Sequence, residues 1–281
     1  MDNVLEVRNL CKKYRGFALD KVSFALPAGC ILGLVGENGA GKSTTIRLLL
    51  RMIKKDGGGV RILGASDGDD LTPVKQDIGV VLDEVGYPEA LTARQMERIF
   101  SGIYTRWSEE DFASYMDRFS LPWDKPFKEY SKGMKMKLGI AAALSHGARL
   151  LILDEATSGL DPVVRDEVVE ILSEFTRNER NAVLISSHIV SDLEKLCDYI
   201  AFLHKGKLLL LEEKDRLSEI YGVVRCSESQ LAALPAGAVL GKKVSPYGAE
   251  AVVRRDKVPA GLQVGPVSIE ELFVYMAKGG K

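Results

Sequence analysis

Histidine, tryptophan and paired cysteine are scarce in this chain of 281 residues. Its three histidines are His146, His188 and His204, and no histidine stands at metal-ligand spacing. The four cysteines, Cys11, Cys30, Cys197 and Cys226, are isolated and contain no Cys-x-x-Cys pair. A zinc ribbon and a redox dithiol are therefore excluded, and the thiols read as reduced core or surface residues. No apolar run approaches the ~20 residues that cross a bilayer, and Met1–Leu10 lacks the basic and apolar blocks of a signal peptide. The chain is expected in the cytosol. An excess of either charge is missing as well: 38 basic residues meet 39 acidic ones, for a net charge of −1. Such a surface is not the lysine coat of a polyanion binder, so nucleic acid is not an expected partner. What is present is 46% hydrophobic residues, on a chain long enough for one full core and a smaller second unit.

The order of patterns predicts an α/β protein. VLEVRNL and KVSFALPAG alternate apolar and polar residues around the turn signal RGFALD, which predicts a small antiparallel sheet at the N-terminus. ILGLVG is apolar throughout, as a strand buried on both faces should be, and runs through glycines into the helical KSTTIRLLLRMI. IGVVL (78–82), LLIL (150–153) and AVLIS (182–186) are further buried strands, alternating with helices. From about Thr92 to His146 only helical patterns occur, so this stretch is expected to be a helical insertion into a parallel core. YIAFLHKGKLLLLEE reads as a hairpin turned at Lys205-Gly206, followed by the helix KDRLSEIYG. Composition then changes, with short strand candidates and a final amphipathic helix, SIEELFVYMAK. The expected division is 1–221, carrying the helical insertion at about 92–146, and a small accessory unit at 222–281.

GENGAGKST satisfies G-x-x-x-x-G-K-[ST] between a predicted strand and helix, the context that gives this motif its meaning. Gly36, Glu37, Asn38, Gly39, Ala40, Gly41, Lys42, Ser43 and Thr44 are thus expected to bind nucleotide. The glycines free backbone N–H groups to cradle phosphates at the helix N-terminus, where the dipole favours them. Lys42 is expected to reach the β- and γ-phosphates and the Ser43 hydroxyl to ligate Mg²⁺. LLILDEATSGLDP supplies a second half. A buried strand ending in two acids aims them apart, because side chains alternate along a strand, so Asp154 is expected to face the metal and Glu155 the attacking water. Asp161-Pro162 is explained by an N-cap followed by proline at the first helical position.

EYSKGMKMKLG (129–139) poses a separate problem. A helix starts here with Lys132, Lys135 and Lys137 at its positive end, where acids are preferred, so an anion is expected to complete it. The bland reading puts these lysines on a solvated face opposite the apolar stripe Met134, Leu138 and Ala141, and it is preferred for Lys135 and Lys137.

Together the phosphate loop, EYSKGMKMKLG, LLILDEATSGLD and ISSH resemble the ATP-binding subunits of ATP-binding-cassette transporters, over about Leu5–Glu212. The resemblance implies a P-loop NTPase core with an N-terminal antiparallel β-subdomain and an inserted helical subdomain, to which 222–281 would be a small α+β appendage. It implies ATP and Mg²⁺ as cofactors. In that family a signature, usually Leu-Ser-Gly-Gly-Gln, precedes the middle helix. Here those positions read Tyr130, Ser131, Lys132, Gly133 and Met134, which implies that Ser131 and Gly133 bind the γ-phosphate of ATP held by a second subunit. His188 matches the switch histidine that touches the γ-phosphate. Tyr14 matches the aromatic residue that stacks on adenine, although YRGF is also an ordinary strand-to-turn sequence. Where the family offers a metal-ligating glutamine after IGVV, this chain has Asp83 with Glu84 beside it. Asp83 is then either a metal ligand or one of a surface acid pair.

The function so implied is an ATPase that dimerises on ATP, as a homodimer or with a similar ATPase, and drives a separate transmembrane permease from the inner face of the membrane. The ending SIEELFVYMAK and the single core resemble bacterial exporters of drugs, peptides or lipids. Two other classes are weighed: a soluble mechanical ATPase, whose long coiled coil or second cassette is missing here, and a nucleotide sensor with weak hydrolysis, which the departure at Asp83 keeps open.

Overall fold

A computed structural model describes residues 2–157, 160–246 and 248–279. Its central sheet has the order β5-β6-β7-β3-β8-β9. Strands β3 (Ile31–Val35), β5 (Ile78–Val81), β6 (Leu150–Asp154), β7 (Ala182–Ser187) and β8 (Tyr199–His204) are parallel, and β9 (Lys207–Glu213) returns antiparallel to β8. The strands that read as apolar throughout form its middle, buried on both faces: every residue of β3, β6 and β7 is buried. Alternation along β3 sends Ile31 and Val35 to one side and Leu32 and Leu34 to the other. On the second side Leu32, Leu34, Ile152 and Leu184 pack with Ile46 and Leu49 of α1 (Lys42–Leu49) and with the N-terminal sheet.

That N-terminal sheet is antiparallel, in the order β2-β1-β4: β1 (Asn3–Tyr14), β2 (Phe17–Pro27) and β4 (Gly57–Ile62). The turn is tighter than RGFALD suggests. Only Arg15 and Gly16 form it, with Gly16 at φ 87° and Tyr14 opposite Phe17, so Phe17–Asp20 belong to the strand. Strand β4 escapes the sequence because three glycines open it. Gly58 needs its missing side chain, since a Cβ there would lie 2.2 Å from the Asn9 carbonyl oxygen, beside an irregularity of β1.

Between Thr92 and His146 there is indeed no strand. Short α2 (Thr72–Lys75) precedes β5, and the insertion consists of α3 (Ala93–Ile103), α4 (Glu109–Arg118) and α5 (Lys132–Leu144). Each begins on a hydroxyl cap: Thr92, Ser108 and Ser131 accept the N–H of Gln95, Asp111 and Met134. Contrary to expectation, Lys135 and Lys137 do not stand on a solvated face. The Lys135 ammonium lies over Phe127 and that of Lys137 over Phe119, and both residues are half-buried, because their long stems cover aromatic surface at the foot of the layer. Met134, Leu138 and Ala141 do face the core.

Helices α6 (Pro162–Thr176) and α7 (Val190–Leu196) flank β7, and α6 starts on the Asp161 cap with Pro162 in its first turn. After α8 (Lys214–Ile220), strands β10 (Tyr221–Cys226), β11 (Val239–Ser245), β12 (Gly248–Arg254) and β13 (Val264–Gly265) form an antiparallel sheet in the order β11-β12-β10-β13, with α9 (Glu228–Ala232) inside and α10 (Ile269–Gly279) after it. Arg255 ties it together, its guanidinium donating to the carbonyls of Ser218, Tyr221, Val264 and Gly265 at 2.8–3.1 Å. Glu194 of α7 accepts the N–H of Ile269 at 2.9 Å, and Phe273 packs edge-on against Phe202.

Candidate nucleotide site

The C-terminal ends of the parallel strands all open on one side, as is usual for ligand sites of such sheets. The phosphate loop follows β3, Asp83 follows β5, Asp154 and Glu155 close β6, and His188 follows β7. The loop owes its shape to glycine. A Cβ at Gly36 would stand 2.5 Å from the Leu203 carbonyl oxygen, while Gly39 and Gly41 take φ of 81° and 112°. Gly41 caps α1 with no side chain and no acid lies in the first turn, so neither offsets the positive end of the helix, whose first residues line the cavity. Asn38, Gly39, Gly41, Lys42, Ser43, Thr44, Asp83 and Glu155 line a cavity of about 370 Å³ with Phe17.

Lys42 is only 5% exposed and donates to the carbonyls of Gly36 (2.7 Å) and Glu37 (3.3 Å). Its ammonium lies 3.0 Å from Glu155 Oε1, and the other carboxylate oxygen of Glu155 lies 2.7 Å from His188 Nδ1. Three of the expected residues therefore form one line of contact. Glu155 reaches it through a left-handed backbone, φ 54°, that a non-glycine residue adopts at some cost. Its N–H is held by the Ser186 hydroxyl and carbonyl oxygen, both at 3.1 Å. The same hydroxyl donates to Asp154 Oδ1 at 2.5 Å. The two acids thus diverge, Asp154 toward β7 and Glu155 toward the phosphate loop.

The other expected residues take different places around the loop. Tyr14 is half-exposed and does not line the cavity; it stacks on Phe17, ring centroids 6.5 Å apart, and Phe17 is the aromatic at the phosphate loop. The signal for Phe17 is only its place directly after the turn. Asp83 lines the cavity, and its carboxylate lies 3.2 Å from the Lys132 ammonium. Ser131 and Gly133, at the start of α5, do not line the cavity of their own chain. His204, which carried no expected role, stands at the end of β8 with Nδ1 3.0 Å from Glu37 of the loop. A larger cavity of about 910 Å³ opens at the other ends of the strands, lined by Arg61, Arg149 and Arg180 but also by Asp2, Glu6 and Glu179. It holds none of the residues named for nucleotide chemistry.

Oxygen donors suit Mg²⁺, which is bound by one or two carboxylates together with waters and phosphate oxygens. Ser43 and Asp83 present such atoms to the cavity, and Asp154 lies behind with one oxygen engaged by Ser186. Among the described residues no group of three His, Cys, Asp or Glu could hold a metal alone, so a fit depends on the nucleotide.

A family profile described as "ABC transporter" matches residues 19–158. The chain is 33% identical over 224 residues to the bacitracin transport ATP-binding protein BcrA of Enterococcus faecalis, covering 79% of this chain and 72% of that one. It is 36% identical over 216 residues to the lantibiotic transport ATP-binding protein SrtF of Streptococcus pyogenes, covering 75% and 92%. Among solved structures, an ATP-binding subunit of an ABC transporter superposes with a TM-score of 0.69 at 27% identity, over 77% of this chain and 92% of the other. The motifs, the fold and these likenesses converge: the chain belongs to the ABC transporter family and is one of its ATP-binding, ATP-hydrolysing subunits.

Proposed function

We propose that this subunit closes as a two-fold dimer on Mg²⁺-ATP and drives a permease on a separate chain, at the inner face of the membrane, exporting a peptide antibiotic or a similar drug or lipid. The contact line Lys42–Glu155–His188 at the phosphate loop carries this reading. Lys42 and the backbone N–H groups from Gly36 to Thr44 bind the phosphates. Glu155 orients the attacking water and takes up its proton, and His188 holds Glu155 in place and reports on the γ-phosphate. Ser43, Asp154 and Asp83 would hold Mg²⁺, which supplies charge neutralisation at the phosphate oxygens when bound. Tyr14, through Phe17, is the platform for the base. Residues 222–281 act as an accessory unit docked on α7. The transport relatives support the partner and the cargo class, and no helix among the described residues is long and apolar enough to cross a membrane.

Ser131 is exposed and does not itself line its own chain's cavity, which supports its completing the site of a second copy. Mixed dimers test this, because an isologous interface makes the two composite sites equivalent. A Lys42→Ala subunit paired with a Ser131→Arg subunit retains one intact shared site and is expected to hydrolyse ATP in a single turnover. Both changes in one subunit, opposite an unaltered partner, leave none. Activity confined to the second pairing would show that EYSKGMKMKLG serves its own chain.

A further inference from the structure

Two positions where this chain departs from the motifs of its family meet in space. Lys132 stands where the signature has glycine, Asp83 where the metal-ligating glutamine is usual, and their charged atoms lie 3.2 Å apart. The sequence separation is 49 residues, so the contact joins the loop after β5 to the first residue of α5. Asp83 at the same time lines the phosphate-loop cavity with Lys42, Ser43 and Glu155. One carboxylate therefore has two claimants.

We infer that Asp83 is exchanged between Lys132 and the divalent metal of the nucleotide, so that Lys132 sets the metal dependence of the site and metal loading releases the start of α5. This rests on the proposed reading of Asp83 as a metal donor. The pair is about half-exposed on both sides, and such pairs change an equilibrium only by a factor of about two to five. It is weak enough to yield. A dication with phosphate oxygens around it attracts a carboxylate more strongly than one hydrated ammonium does. While the pair stands, Asp83 is the anion that offsets both Lys132 and the positive end of α5, whose first turn has no acid of its own. Once Asp83 turns to the metal, Lys132 and the Ser131 turn lose the carboxylate that pairs with them among the described residues. The helix start then favours an anion from outside, and the coupling runs both ways: an anion engaging Lys132 frees Asp83 for the metal.

Mn²⁺ binding to the full-length protein with a non-hydrolysable ATP analogue, followed by electron paramagnetic resonance, tests the exchange without turnover. Lys132→Met removes the competitor and is expected to tighten Mn²⁺ about two- to fivefold. Asp83→Asn is expected to weaken it, and in the Asp83→Asn background Lys132→Met should change nothing further. Lys132 is exposed, so the substitution spares the fold, and a thermal melt checks this. If Asp83→Asn weakens Mn²⁺ while Lys132→Met leaves it unchanged, the exchange is wrong and the metal role of Asp83 survives. If Asp83→Asn has no effect, the metal role itself fails and the exchange falls with it. A Lys132→Met effect that persists without the Asp83 carboxylate also overturns the exchange.

Discussion

Glu155 concentrates the chemistry of the site in one side chain. It is buried, its backbone is left-handed, and its two oxygens are divided between Lys42 and His188. Glu155→Gln keeps the size but turns one acceptor oxygen into an amide donor, ends the ion pair with Lys42 and removes the base. ATP binding is expected to persist while hydrolysis slows by roughly 10²- to 10⁴-fold, the range for losing a positioned base. Single-turnover hydrolysis beside equilibrium nucleotide binding measures it, and turnover at the unaltered rate would remove Glu155 from the mechanism. Two acids at the end of an apolar strand were enough to foresee that Asp154 and Glu155 would point apart. The left-handed turn that achieves it was not legible. It follows from the hold of Ser186, a neighbour only after β7 has paired with β6. Phe17 was hidden for a similar reason, since a ring directly after a turn carries no mark of the loop it will meet.

At the level of elements, hydroxyl caps and apolar stripes made the helices readable, whereas contacts between their ends were not. His146 shows this. It lies just past α5, is 1% exposed, stacks on Tyr104 at 4.1 Å, and meets the Gln76 carbonyl oxygen at 3.2 Å through Nδ1. Thus it joins α5, the end of α3 and the lead into β5. Burial pushes its pKa below the usual histidine value, and the bond to Gln76 only partly opposes this. The unfolded chain therefore takes up a proton near the ordinary value, about 6.5, before the folded chain does. Stability is fully present above that pH and falls as pH drops toward the depressed folded value. His146→Gln is expected to flatten this fall between about pH 7 and pH 5. Urea midpoints across that range check it, and an unaltered slope would assign the acid sensitivity to other groups. Strand β4 marks the opposite limit: three glycines suppress every strand signal, yet Gly58 is what lets it approach β1.

For the whole molecule, the change of composition near residue 222 was visible, but the way the last sixty residues attach was not. Val223, Val252, Ile269 and Leu272 join the same core as Ile31 and Leu153, and Phe273 covers Phe202, which has no exposure. The sheet and helix that follow α8 are thus part of how the larger core is closed. A chain cut after Ile220 bares several large apolar side chains, each worth about 1.5–3 kcal/mol when buried, so a stability loss on the order of 5 kcal/mol is expected. Thermal unfolding of the shortened chain decides it, and a melt matching the full-length protein would mean that the appendage merely rests on the surface. The place of β3 in the sheet has a consequence in time. The strand that carries the phosphate loop is made early, but its neighbours are β7 and β8, with Ile31 opposite Val183 and Leu32 opposite Tyr199. During synthesis the loop leaves the ribosome long before either neighbour exists. Such distant pairings are slow to form because the intervening chain must close first. A growing chain therefore cannot hold nucleotide until Tyr199 has emerged, and up to that point it exposes an unpaired apolar strand for which chaperones and aggregation compete.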